Sequence, residues 1–183
     1  MADSPKKIYW DACVWISLIN DDVGRADRCR HLIDLAKKGE VQIWTSSISL
    51  AEVFKKKCEG RNISLPELGD EAFENLMNQD FVYEVQADHD IGVLARRLLR
   101  KYPQLKQPND AIHLATAALN NVDELHSFDG DNLTPLNALI DRHDGKKLVI
   151  CEPPEPKNIQ LNLLVDLTNE MPENDDSGEP AKP

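Results

Sequence analysis

One stretch of this sequence, residues 107–118, constrains the fold more than any other. It reads QPNDAIHLATAA, and its alanine, leucine and isoleucine residues strongly favour a helix. Pro108 requires an extended residue before it, and Asn109 is the predicted N-cap. Because the stretch is apolar on nearly every side, the sequence predicts a buried central helix. Asp110 falls in its first turn, where the helix dipole favours an ionised carboxylate, but a carboxylate near a buried helix needs a partner.

Segments with strand-like and helix-like patterns alternate along the rest of the chain. Short apolar or alternating runs predict strands at 6–10, 41–45, 81–85, 124–127 and 147–151. Helical spacing predicts helices at 14–19, 25–38, 46–57, 66–77 and 91–101, with a turn region at 58–65. This alternation indicates an α/β fold, a three-layer α/β/α arrangement with a mainly parallel central sheet flanked by helices.

The composition of the chain changes near residue 152. Six of the eleven prolines lie beyond this point, together with eight acidic residues and two lysines. We therefore expect a globular domain at 1–151 and an acidic, proline-rich, flexible tail at 152–183. An apolar island at 159–167 is the exception, and its composition suits docking on the domain or on a partner.

Several classes of protein are disfavoured by the sequence. No apolar run approaches the roughly 18 residues that cross a bilayer, and the N-terminus lacks the apolar region of a secretory signal. The four cysteines are scattered without a CxxC pair, which favours reduced thiols in the cytoplasm and argues against a zinc site. The net charge of −11 disfavours nucleic-acid binding, although more than half of it belongs to the tail.

Four acidic residues are predicted to converge at one edge of the sheet. Asp11, Glu52 and Asp129 fall just beyond predicted strands, and Asp110 opens the central helix. Four carboxylates at one edge cannot all stay ionised without a cation. Oxygen-only ligands suit Mg²⁺ or Mn²⁺, which activates water and stabilises charge on a phosphodiester.

These acids lie in segments that together resemble the PIN domain family over roughly residues 6–151. The segments are Asp11 after the first strand, Ser49-Leu50-Ala51-Glu52, Asn109-Asp110-Ala111-Ile112-His113-Leu114-Ala115 and Ser127-Phe128-Asp129. The resemblance implies a PIN-like fold and a Mg²⁺- or Mn²⁺-dependent endoribonuclease, the VapC-like toxin of a type II toxin–antitoxin pair. It further implies that Asp11, Glu52, Asp110 and Asp129 are metal-site acids and that Ser127 is their polar neighbour. The thiol of Cys13 departs from the small polar residue that the family often has there.

The resemblance also sets the expected location and partners. It implies a cytoplasmic protein that acts on RNA, with an antitoxin protein and a second copy of the chain as further partners and no membrane. For RNA contact, Lys55, Arg61, Arg96 and Arg100 are the candidate cations, and the alternative is that they belong to solvated helix faces. The rival function is a non-catalytic PIN-like module that binds partners or acts as a scaffold.

Each acid also has a purely structural interpretation, which the sequence leaves open. These interpretations are a helix N-cap for Asp11, a capping box with Ser49 for Glu52, a first-turn dipole partner for Asp110 and ordinary turn chemistry for Asp129. Asp131 is the alternative fourth acid. His113 is predicted to pack inside the central helix layer rather than to act as a general base.

Overall fold

The structure is a computed structural model that describes residues 4–58, 61–64 and 67–156, without the side chains of 55–68. Its centre is a parallel sheet of five strands in the order β5-β2-β1-β6-β7. These strands are β1 (Lys6–Trp10), β2 (Val41–Ser46), β5 (Val82–Val85), β6 (Glu124–His126) and β7 (Val149–Cys151). A separate antiparallel hairpin contains β3 (Lys55–Cys58) and β4 (Arg61–Ser64).

Helices cover both faces of the sheet. They are α1 (Ala12–Ile19), α2 (Arg25–Lys37), α3 (Ser49–Glu52), α4 (Glu67–Met77), α5 (His89–Lys101) and α6 (Pro108–Leu119), with a 3-10 turn at Thr134–Leu136. One core joins α1, α2 and α4 to the sheet face that carries Ile8 and Trp10. The other joins α5 and α6 to the opposite face, which carries Tyr9 and Leu125. The predicted three-layer α/β/α arrangement is therefore confirmed.

The helix predicted from 107–118 is buried as expected. Its side chains Ala111, Leu114, Ala115 and Ala117 are fully buried against the sheet and α5. The helix begins two residues earlier than predicted, with Gln107 rather than Asn109 as the N-cap and Pro108 in the first turn. The reason is that a first-turn N–H has no acceptor within the helix, so proline loses nothing there and its fixed φ suits the helix.

The helix predicted at 46–57 forms only at 49–52, and the rest of that prediction is wrong. α3 ends at Glu52, and Val53 leaves the helical region with φ −86° and ψ 64° while its side chain enters the core. Residues 55–58 then pair with 61–64, a stretch predicted as turn, with Lys55 opposite Ser64. Lysine favours helices only weakly, and here the pairing of the two strands outweighs that preference.

The chain immediately after β7 lies on α2. Arg28 contacts Glu152 and Glu155 at 2.9 and 2.6 Å. Residues 157–183, which include the apolar island at 159–167, lie outside the described residues, and the division of the chain at 151 stays a prediction. Within the described part of the chain, no helix is long and apolar enough to cross a membrane.

Candidate metal centre

The four predicted acids line a single cavity at the carboxyl ends of the strands. Asp11 follows β1, Glu52 ends α3, Asp110 lies in the first turn of α6 and Asp129 follows β6. The cavity has a volume of about 460 Å³. Sequence reasoning therefore identified the elements that meet here, because the carboxyl ends of parallel strands share one edge.

Asp11 is held by hydrogen bonds from α1 and from a thiol. It is the N-cap of α1, and its Oδ1 accepts from the backbone N–H of Val14 at 3.2 Å and from Cys13 Sγ at 2.8 Å. Cys13 Sγ also lies 3.4 Å from Ser127 Oγ and accepts from the N–H of Phe128 at 3.0 Å. The predicted polar neighbour Ser127 thus lies beside both the thiol and Asp11. Burial raises the pKa of Asp11 above its ordinary value.

Glu52 is positioned by two side chains of α6. Asn109 Nδ2 donates to Oε1 at 2.9 Å, and His113 Nε2 lies 2.8 Å from Oε2. His113 Nδ1 lies in turn 2.7 Å from the hydroxyl of Tyr9, inside the core. Partial burial opposes ionisation of Glu52, but the hydrogen bonds from His113 and Asn109 outweigh it and lower the pKa of the carboxyl.

The capping-box interpretation of Glu52 does not hold. The N-cap of α3 is Ile48, and the hydroxyl of Ser49 is buried at 2.9 Å from Thr45 Oγ1. The prediction for His113 is confirmed as to burial, with 2% of its surface exposed. Its contact with Glu52 was missed, although Asn109 and His113 are four residues apart and so share one face of α6.

Asp110 is the acid with the least compensation. Its Oδ2 is buried and has no hydrogen-bond partner among the described residues. Burial, then the negative charge of Asp129, followed by the smaller effects of Asp11 and Glu52, raises the pKa of Asp110 to about 6, against an opposing effect of His113. A bound cation would compensate a buried carboxylate of this kind and favour its ionised form.

Asp129, rather than Asp131, faces the cavity. Its Oδ1 accepts from the backbone N–H groups of Asp131 and Asn132 at 3.1 and 3.0 Å, and its Oδ2 accepts from Asn132 Nδ2 at 2.8 Å. The turn interpretation of Asp129 is therefore correct, and its role as a metal-site acid stays a prediction. Asp131 is exposed.

The donor types in the cavity are those that a hard divalent cation prefers. Four carboxylates line it, and one buried oxygen of Asp110 has no partner in the described part of the chain. The nitrogens of His113 are engaged by Tyr9 and Glu52, and the thiol of Cys13 donates to Asp11. Oxygen donors of this kind suit Mg²⁺ or Mn²⁺.

The candidate RNA-binding cations lie on two other elements. Lys55 and Arg61 belong to the β3–β4 hairpin, which directly follows α3, and their side chains are outside the described part of the structure. Arg96 and Arg100 are exposed on α5. Their role in RNA contact stays a prediction.

The chain is similar to known proteins in sequence profile and in fold. The profile of the PIN domain family matches residues 8–134. The structure of the sarcin–ricin loop cleaving toxin VapC20 from Mycobacterium tuberculosis is similar with a TM-score of 0.53 at 18% identity, over 68% of this chain and 91% of that chain. A toxin–antitoxin complex from Klebsiella pneumoniae gives 0.50 at 18% identity, over 81% and 99%. No curated protein sequence matches the chain.

Proposed function

This chain belongs to the PIN domain family, as its sequence predicted, and from that premise we propose that it is a Mg²⁺- or Mn²⁺-dependent endoribonuclease. The observation that carries the proposal is the cavity lined by four carboxylates, in which Asp110 keeps a buried oxygen without a partner among the residues that the structure describes. Asp11, Glu52, Asp110 and Asp129 would hold the cation. When bound, it would activate water and offset the charge that builds on the phosphodiester.

The surrounding residues would keep the carboxylates in place. His113 and Asn109 fix both oxygens of Glu52, and the hydroxyl of Tyr9 fixes the ring of His113 from within the core. Cys13 orients Asp11 and links it to Ser127. Preorganised ligands of this kind need little rearrangement when a cation and a phosphodiester enter the cavity.

RNA binding needs positive charge outside the acidic cavity. With a net charge of −11 the protein repels phosphates at long range, so a local cationic surface must compensate. We propose that Lys55 and Arg61 of the hairpin and the exposed Arg96 and Arg100 of α5 contact the RNA backbone. Such contacts carry little sequence information.

We further propose that the chain is the toxin of a toxin–antitoxin pair in the cytoplasm. The support is the similarity to VapC20, a toxin, and to a structure that is itself a toxin–antitoxin complex. An antitoxin protein is then the expected partner, and a homodimer is the expected assembly.

The cleavage test compares acids inside and outside the cavity. Asp11→Asn is expected to abolish cleavage of purified total RNA in Mg²⁺ or Mn²⁺ while leaving the circular dichroism spectrum unchanged. Asp129→Asn and Asp131→Asn form a matched pair in one loop, and only the first is expected to lose activity. Undiminished cleavage by the folded Asp11→Asn protein would refute the assignment of metal-dependent ribonuclease activity to this cavity.

The binding test separates the enzyme from the non-catalytic alternative. Calorimetric titration of Mn²⁺ should give binding in the unmodified protein and at least tenfold weaker binding in Asp110→Asn, since one ligand is lost. RNA binding without cleavage, together with equal Mn²⁺ affinity in both proteins, would instead favour a PIN-like binding module.

A further inference from the structure

Three side chains with different donor atoms meet on the β6–β7 side of the sheet. They are Glu124 and His126 of β6 and Cys151 of β7, and one potential ligand atom from each lies within 4.8 Å of the others. We call this cluster the edge site. None of the three is among the residues that line the acidic cavity.

The strand register explains why the edge site forms. His126 is paired with Cys151 across the parallel β6–β7 ladder, and Glu124 precedes His126 by two residues. Side chains two residues apart on a strand lie on the same face of the sheet. The three side chains therefore project from one face of the sheet. Leu125 and Ile150, which alternate with them along the strands, point into the core on the opposite face.

His126 has an unused capacity to bind a ligand. The ring is fully buried, its Nε2 lies 3.1 Å from Glu124 Oε2, and its Nδ1 has no partner among the described residues. Buried polar atoms are nearly always hydrogen-bonded, so an unpaired nitrogen on a ring that lies beside a thiol and a carboxylate requires an explanation.

Two neighbours hold the carboxylate of Glu124 in this cluster. His126 Nε2 lies 3.1 Å from its Oε2, and Lys6 Nζ lies 2.5 Å from its Oε1 on the solvent side. A metal ion that binds the half-buried thiol of Cys151 would displace its proton.

We propose that Glu124, His126 and Cys151 bind a zinc ion, with water as the fourth ligand. One sulfur, one imidazole nitrogen and one carboxylate oxygen form a donor set typical of tetrahedral Zn²⁺, and the thiolate and imidazole disfavour Mg²⁺. Cys151 and Glu124 are partly exposed, so an ion can reach the site. The sequence argued against zinc because its four cysteines are scattered without a CxxC pair. Strand pairing places Cys151 beside His126, which is 25 positions away in the chain.

A zinc ion here would fasten the last strand of the sheet. β7 has three residues, and among the strands that the structure describes it pairs only with β6. The ion would join the two strands by side chains, next to the place where Arg28 holds Glu152 and Glu155. The free energy of metal binding then adds to the stability of the folded state.

Cobalt spectroscopy of the full chain tests this proposal. Co²⁺ is titrated into chelator-treated protein in excess Mg²⁺, which occupies oxygen-only sites and competes poorly for thiolate and imidazole. We expect one equivalent of Co²⁺ to give a sulfur-to-cobalt charge-transfer band that Zn²⁺ abolishes. The band should be lost in Cys151→Ser and retained in Cys13→Ser, the matched thiol of the acidic cavity.

Two further variants keep the test decisive if Cys151→Ser fails to fold. Glu124→Gln should weaken Co²⁺ binding at least tenfold, and Lys6→Met should strengthen it because Lys6 competes for the same carboxylate. A band that is absent from the unmodified protein, that persists in folded Cys151→Ser, or that disappears in Cys13→Ser would overturn the proposal. None of these measurements depends on RNA cleavage, so failure of the zinc proposal can be distinguished from failure of the nuclease assignment.

Discussion

Replacing Asp110 by asparagine should make the metal-free protein more stable. The carboxylate is partly buried, has an oxygen without a partner in the described part of the chain, and faces the negative charges of Asp129, Asp11 and Glu52. Asparagine has nearly the same shape and carries no charge. In the absence of a cation, the substitution therefore removes repulsion and a desolvation cost without leaving a cavity.

The size of the effect follows from the pKa of Asp110. Its folded value is about 6 against an ordinary value of 3.8, and each pH unit of difference is worth about 1.4 kcal/mol, so the upper limit is about 3 kcal/mol. Water screens the partly exposed carboxylate, which reduces the expected gain to about 1–2 kcal/mol. For a chain of this length, that corresponds to a rise in Tm of about 2–8 °C.

The pH dependence has a definite sign. A carboxyl whose pKa is raised by folding destabilises the folded state once the unfolded chain is ionised. The cost is absent below about pH 4, grows as the pH rises towards 6 and is fully present above that value. The advantage of Asp110→Asn should therefore appear at pH 7.5 and vanish at pH 3.5.

Urea unfolding in chelator at the two pH values measures the effect, with Asp131→Asn as the control for loss of a loop charge outside the cavity. Saturating Mn²⁺ should cancel most of this advantage, because tenfold tighter binding stabilises the unmodified protein by about 1.4 kcal/mol more than the variant. An Asp110→Asn protein that is no more stable than the original at pH 7.5, or that gains equally at pH 3.5, would refute this reasoning.

Two further predictions concern the support of the site. Leu114→Ala in the fully buried face of α6 should lower the free energy of unfolding by about 2–5 kcal/mol in urea titration, whereas exposed Leu50→Ala should change it by less than about 0.5 kcal/mol. Tyr9→Phe leaves His113 Nδ1 without its buried partner, so it should cost about 1–3 kcal/mol in the same assay. It should also slow RNA cleavage less than Asp11→Asn does, because Tyr9 acts only through His113 and Glu52. Equal loss of activity in Tyr9→Phe and Asp11→Asn would contradict this order.

The fold was largely predictable because its signals are local. Periodicity of two or of 3.6 residues identified the strands of the central sheet and most of its helices, and the apolar stretch at 107–118 identified the most buried helix. Glycine at 39 marked the end of α2, where it adopts φ +77°. The failure at 55–58 has the same origin, because a lysine run gives no local sign that it will pair with a strand six residues further on.

The candidate site was predictable in its acids and unpredictable in their surroundings. Asp11, Asp110 and Asp129 stand at element ends that a parallel sheet brings to one edge. The contact of His113 with Glu52 depends on how α6 is rotated against α3, and the choice of Asp129 over Asp131 depends on a turn closed by Asn132. Neither the rotation of α6 nor the closure of the turn by Asn132 can be predicted from the spacing of residues in the sequence.

The sequence alone determined the order of the elements, the identity of the buried helix and the acids near its N-terminal end. Each of these follows from interactions between residues close in the chain. Only the tertiary structure decided which distant side chains meet. Glu52 lies beside His113 and Cys151 lies beside His126 because of helix packing and strand register. Those long-range choices are set by the whole core at once, since moving one strand by a residue would turn its side chains to the opposite face.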